Sequence, residues 1–190
     1  LSVSSTGVDS GVTDTASGEQ VYLYLGTSSD AGVVLGRVGA SGAADASGAE
    51  AFRLSVDASS GEVTLNQSRA LEHPTGGASS PNEAIYLSSS VISLTATVTD
   101  NDGDTAAQTV DLGGASGAIS FLDDGPAISK DMVSADSLQV DESDLTTDDT
   151  TDLSGLFTVT SAGADGQQSL VYSLSVSSTG VDSGVTDTAS

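Results

Sequence analysis

No cysteine occurs in the 190 residues, which excludes a disulfide framework, thiolate zinc sites and thiol chemistry. Tryptophan is absent too, and aromatic residues make up only 4% of the chain, so an aromatic platform for sugar has little to be built from. Four basic residues, Arg37, Arg53, Arg69 and Lys130, stand against 27 acids, for a net charge of −23. Long-range repulsion therefore disfavours nucleic acid and anionic membranes as partners and favours cations. The one histidine, His73, has no second imidazole or thiol for a zinc site, and no G-x-S-x-G elbow or P-loop accompanies it. GGASG at 113–117 lacks the following helix a phosphate site needs. No apolar run approaches the ~20 residues of a membrane span, and no basic, apolar, small-residue signal opens the chain. Membrane insertion and catalysis are not expected. The scarcity of lysine and cysteine beside abundant Asp, Gly, Ser and Thr points to an extracellular setting.

What is present is repetition. LSVSSTGVDSGVTDTAS occupies residues 1–17 and again 174–190. The first letters, Leu1 and Leu174, lie 173 residues apart (174 − 1). Seventeen identical letters do not recur by chance, so the chain comes from a tandem array and slightly exceeds one unit. Solenoids repeat every ~20 to 50 residues; a unit of this length can bury its own core. The same strand position in successive units should be filled by each copy. The expectation for one isolated chain is a poorly ordered tail or head-to-tail contact between copies.

The 37% of hydrophobic residues fall in short alternating runs, rich in β-branched residues and bounded by Gly, Asp, Asn and Ser, as strands require. Strands are expected at 20–25, 32–38, 51–56, 62–67, 91–99, 105–112, 118–121, 156–160 and 169–176. In VISLTATVT, Ile92, Leu94, Ala96 and Val98 share one face, read as inward; Ser93, Thr95, Thr97 and Thr99 share the other. DASSG at 57–61 and Asp102-Gly103 read as hairpin turns. Small-residue or proline-containing loops are expected at 40–48 and 75–81. With no helical period, the fold class is all-β: an immunoglobulin-like antiparallel β-sandwich in a tandem repeat. The composition changes after DDGP at 123–126, where proline stops a strand. Residues 1–124 are read as the sandwich, and 125–190 as an acidic calcium linker followed by the opening strands of the next unit.

Two acidic clusters carry the chemistry. DNDGD at 100–104 sets Asp100, Asp102 and Asp104 at alternate positions around a glycine. A hard Ca²⁺ ion takes six to eight oxygens, and such a turn offers three side-chain ligands at little ordering cost. It is not an EF-hand, since Thr105 stands where that loop needs glycine and no flanking helices are expected. A solvated acidic hairpin tip is the plainer alternative. The second cluster is Asp123 and Asp124 with Asp141 and Glu142, flanking the linker; carboxylates gathered at a domain junction repel unless a cation lies between them. A self-repelling extended linker is the alternative. Asp165 in GADG is a weaker candidate, more simply a turn residue. His73 reads as a strand-end residue, partly exposed.

The succession YSLSVSSTGVDSGVTDTASGEQVYLYL, FRLSVDASSGEVTLNQSRALEHP, VISLTATVTDNDGDTAAQTVDLG, ISFLDDGP, VDES and GADG resembles the long repeats of giant type I-secreted repeats-in-toxin adhesins of Gram-negative bacteria. The likeness covers nearly the whole chain and lies in the order and spacing of the motifs. It implies a tandem β-sandwich extender that holds a distal ligand-binding module away from the cell, is rigid only with Ca²⁺ bound, and serves adhesion and biofilm formation. It also implies calcium positions at Asp100, Asp102, Asp104, Asp123, Asp124, Asp141 and Glu142. One departure is the phase, because the family repeat begins just after DDGP. A carbohydrate- or ice-binding sandwich is the rival class, but Tyr22, Tyr24, Tyr86 and Tyr172 are too scattered to mark such a face.

Overall fold

Alternation of apolar and polar residues in the first third of the chain produces a meander of five antiparallel strands. The computed structural model describes residues 1–30, 32–74, 83–131 and 138–187; the loop expected at 75–81 falls outside them. After the short β1 (Ser2–Val3), the meander runs β2 (Val8–Thr13), β3 (Gln20–Leu25), β4 (Val34–Val38), β5 (Glu50–Val56) and β6 (Val63–Gln67), each paired with the next. The remaining strands are β7 (Ala84–Tyr86), β8 (Ile92–Thr99), β9 (Thr105–Asp111), β10 (Ser120–Leu122), β11 (Ala127–Lys130) and β12 (Phe157–Ser161). They form a three-stranded sheet β1-β8-β9 and two antiparallel pairs, β7 with β10 and β11 with β12. Among the described residues the only helical pieces are two 3₁₀ turns, Ser28–Asp30 and Ser154–Leu156.

The meander supplies one wall of the core through Val21, Leu23, Val34, Phe52 and Leu54, all fully buried. Leu87, Ile92, Leu112, Ile119 and Phe121 supply the other. The result is an all-β, sandwich-like packing in which each such side chain contributes on the order of 1.5–3 kcal/mol by leaving water. The Phe52 and Phe121 rings join the two walls, with centroids 5.0 Å apart and planes tilted by 48°. Gly36 makes room for that contact. It lies opposite Phe52 in the β4–β5 ladder, and a methyl group on it would fall 2.6 Å from the Phe52 ring. Gly36→Ala should therefore cost ~1–3 kcal/mol by overpacking; urea melts check this, and an unchanged midpoint would show that the ring yields freely.

Three expectations need correcting. The inward face of β8 holds only at its first half: Ile92 is buried and Leu94 partly so, whereas Ala96 is exposed and Val98 is 67% exposed. The core lies at the Ile92 end, and the rest of the β8–β9 hairpin runs past it with no described strand opposite. No strand forms at 169–176, although Ser175 and Val176 repeat Ser2 and Val3 of β1. β1 has β8 beside it, with Ser2 opposite Ser93 and Val3 opposite Ile92, while the second copy pairs with no strand among the described residues. Finally, β1, β2, β7 and β11 lie outside the expected runs. They are short or interrupted by glycine, and neighbours rather than propensity hold them in place.

Candidate metal centre

The β8–β9 ladder is regular from Ser93 opposite Asp111 to Thr99 opposite Thr105, and it closes over DNDGD. The Asp100 N–H donates to the Asp104 carbonyl at 3.0 Å, and Gly103, at φ +98°, donates to the Asp100 carbonyl at 3.3 Å. Glycine adopts that backbone angle without strain. One oxygen of Asp100, Oδ1, accepts the N–H groups of Asp102, Gly103 and Asp104 at 3.3, 3.1 and 2.9 Å. A hydrogen bond with the Asp102 side chain, and then those N–H groups, hold the Asp100 carboxyl below the usual carboxylate range. Carboxylate oxygens of Asp100, Asp102 and Asp104 lie within 4.8 Å of one another, all exposed. The donors are oxygens only, which suits a hard cation such as Ca²⁺.

Among the described residues this is the one place where three or more acids or histidines converge so closely. Asp123, Asp124, Asp141 and Glu142 enter no such group. Asp123 instead faces His73, with its Oδ1 3.7 Å from Nδ1, and also accepts the Asp124 N–H at 2.9 Å. His73, nearly covered, lies close to the carbonyls of Leu71 at 2.9 Å and Phe121 at 3.4 Å, so it clasps the end of β10 to the chain leaving the meander. The backbone carbonyl of Asp124 lies beside GADG: a methyl group on Gly163 would fall 2.6 Å from it and 2.9 Å from the Asp165 carboxylate.

Three acids after β11 cap their own turns. Asp141 Oδ1 accepts the Ser143 N–H at 2.8 Å, Asp144 Oδ1 that of Thr146 at 3.0 Å, and Asp152 Oδ1 that of Ser154 at 2.8 Å. Hydrogen bonds from these Ser and Thr partners lower the pKa of all three. Such bonds are what Asp offers any turn.

The only buried carboxylate among the described residues stands outside both acidic clusters. Asp14 is fully buried and grips Arg69 through two bonds, 2.7 Å to Nε and 2.9 Å to Nη2. It also accepts the Ser17 N–H at 3.0 Å and its hydroxyl at 2.6 Å. The Arg69 hydrogen bond dominates, outweighing burial, so the Asp14 carboxyl is held below the usual range. A signal existed: Val8, Ser10, Val12 and Asp14 share one face of β2 and its extension, and Ser10, Val12 and Asp14 are buried. An acid in an inward register must find a cation, and the chain has few.

No curated protein matches the chain significantly, and neither does any solved structure. Residues 1–113 and again 137–190 match a family described as a domain of unknown function (DUF5801), in two segments that each carry a copy of the repeated stretch. With most of its length matched, the chain belongs to the DUF5801 family.

Proposed function

We propose that the chain is a calcium-binding structural unit of a tandem array: an extender of a secreted bacterial surface adhesin, immunoglobulin-like in its finer architecture and without catalytic activity. Type I secretion, the extracellular setting and a role in adhesion and biofilm formation belong to the same proposal, since they rest on resemblance. The observation that carries the calcium reading is the convergence of Asp100, Asp102 and Asp104 within 4.8 Å on a tip whose backbone is already fixed by hydrogen bonds. Three carboxylates held this close repel one another, and a divalent cation removes that repulsion while drawing its remaining oxygens from water. The repetition at 173 residues supports the array; the excess of acids supports cation binding. Asp123, Asp124, Asp141 and Glu142 form the second proposed region, between successive units, where a shared Ca²⁺ would stiffen the connection.

Calorimetric titration with Ca²⁺ tests the tip. Asp102→Ala and Asp104→Ala should each weaken one site at least tenfold and leave the circular dichroism spectrum unchanged, because the tip lies outside the core. Unaltered binding in both variants would place calcium elsewhere.

A further inference from the structure

The open edge of β8 has a specific occupant written into the repeat. β1 covers only the beginning of that edge, with Ser2 opposite Ser93 and Val3 opposite Ile92. Beyond Leu94 no described strand lies beside it. The Ser4 N–H donates to the Val91 carbonyl, and the Leu112 N–H to the Ile92 carbonyl. Backbone groups along β8 therefore alternate: those of Ile92, Leu94, Ala96 and Val98 point to β9, and those of Thr95, Thr97 and Thr99 point to the open edge. Residues 169–173, SLVYS, immediately precede the second copy of β1. Continuing the β1 register places Ser173 opposite Thr95, Tyr172 opposite Ala96, Val171 opposite Thr97 and Leu170 opposite Val98.

We infer that residues 169–176 of a second copy of this chain dock as an antiparallel strand along β8, displacing β1 and extending to Thr99. The first residues exchange like for like, since LSV replaces LSV; the gain comes from the five that follow. Ser173, Val171 and Ser169 take the hydrogen-bonding positions opposite Thr95, Thr97 and Thr99. Leu174, Tyr172 and Leu170 fall on the face of Leu94, Ala96 and Val98. Both halves of this contact are apolar and uncovered. On the acceptor, Val98 and Val110 are 67% and 55% exposed; on the donor, Leu174 and Tyr172 are 102% and 53% exposed. Tyr172 already stacks on Phe157 of β12, with centroids 5.9 Å apart, so docking carries the β11–β12 pair over the bare half of the β8–β9 hairpin. In an array residues 169–173 run directly into the next copy of β1, so with the unit boundary after DDGP the same pairing would form within one unit. This inference rests on repetition and register and stands whether or not calcium binds.

Light scattering over a concentration series tests it, in 0.3 M NaCl to screen the acidic repulsion between copies. The contact is head-to-tail and does not close, so the mass of the wild-type chain should rise past that of a dimer. Val171→Pro removes a donor N–H from the incoming strand, and Thr97→Pro removes one from the open edge without touching the β9 ladder. Each variant alone should remain monomeric. Mixed one to one they should form a dimer and nothing larger, since one competent tail and one competent edge remain. A monomeric wild type, variants that assemble like wild type, or a mixture that does not dimerise would overturn the inference. Should Thr97→Pro fail to fold, the synthetic peptide SLVYSLSV serves instead: it should block wild-type assembly, and its Val171→Pro form should not. Equal effects of the two peptides would refute the register.

Discussion

Replacing Arg69 with alanine should destabilise the protein by ~3–5 kcal/mol, because it leaves a carboxylate inside the fold without its cation. Asp14 is fully buried while the Arg69 side chain retains about a third of its exposure, so the two ends of the pair are not equivalent. Asp14→Ala frees a guanidinium that still reaches water, and its cost should be smaller. The double variant should cost less than the sum of the singles, as directly paired groups do. The pH dependence separates the cases. In the wild type the carboxyl is held below its ordinary value, so its contribution is complete above that value and is lost as acid is added below it. In Arg69→Ala the largest lowering cause is gone and only the Ser17 hydrogen bonds oppose burial, so the stability lost on acidification should be smaller than in the wild type. Denaturant melts between pH 3 and pH 7 provide the measurement. A loss of under ~0.5 kcal/mol in Arg69→Ala, in the range of ordinary surface substitutions, would show that the pair is incidental.

Calcium should raise the melting temperature of the wild-type chain. A ligand that binds only the folded state stabilises it by RT ln(1 + [L]/Kd), ~4 kcal/mol at a thousandfold excess over Kd. For a chain of this size that corresponds to a shift of roughly 8–16 °C. Monovalent salt at equal ionic strength controls for screening of the −23 net charge, and should produce a smaller shift. Scanning calorimetry with Ca²⁺, with EDTA and with NaCl decides the matter. Indistinguishable Ca²⁺ and EDTA curves would remove the proposed role of the cation.

What the sequence disclosed was local. The DNDGD tip was legible because its three carboxylates, its glycine and the flanking strands all lie within a few residues. Most of the meander was legible for the same reason, since alternation in QVYLYL or AFRLSV needs only the strand itself. Val98 was misread because alternation reports a strand's two faces, not how far the opposing wall extends. The acids at 123–124 and 141–142 looked like a pair on the linear chain. Asp123 instead faces His73 and the Asp124 carbonyl lies beside Gly163, both distant in sequence. The Asp14–Arg69 pair spans 55 residues and became visible only once the inward register of β2 was assigned.

In the array proposed above, the second copy of the β1 stretch would bear on the order in which structure is acquired. In the proposed array Leu174 would have a β8 about 80 residues behind it and, one period on, another about 90 residues ahead. Loop-closure entropy grows so slowly with length that the two differ by only about 0.1 kcal/mol. Chain entropy therefore does not tell the strand which neighbour is its own. The partner behind is synthesised first and is available first, so a growing or refolding array meets the upstream choice before the downstream one exists. In such an array assembly order would depend on whether the upstream slot is already filled, and a unit that lost its own first strand would invite a shift of pairing that passes from unit to unit.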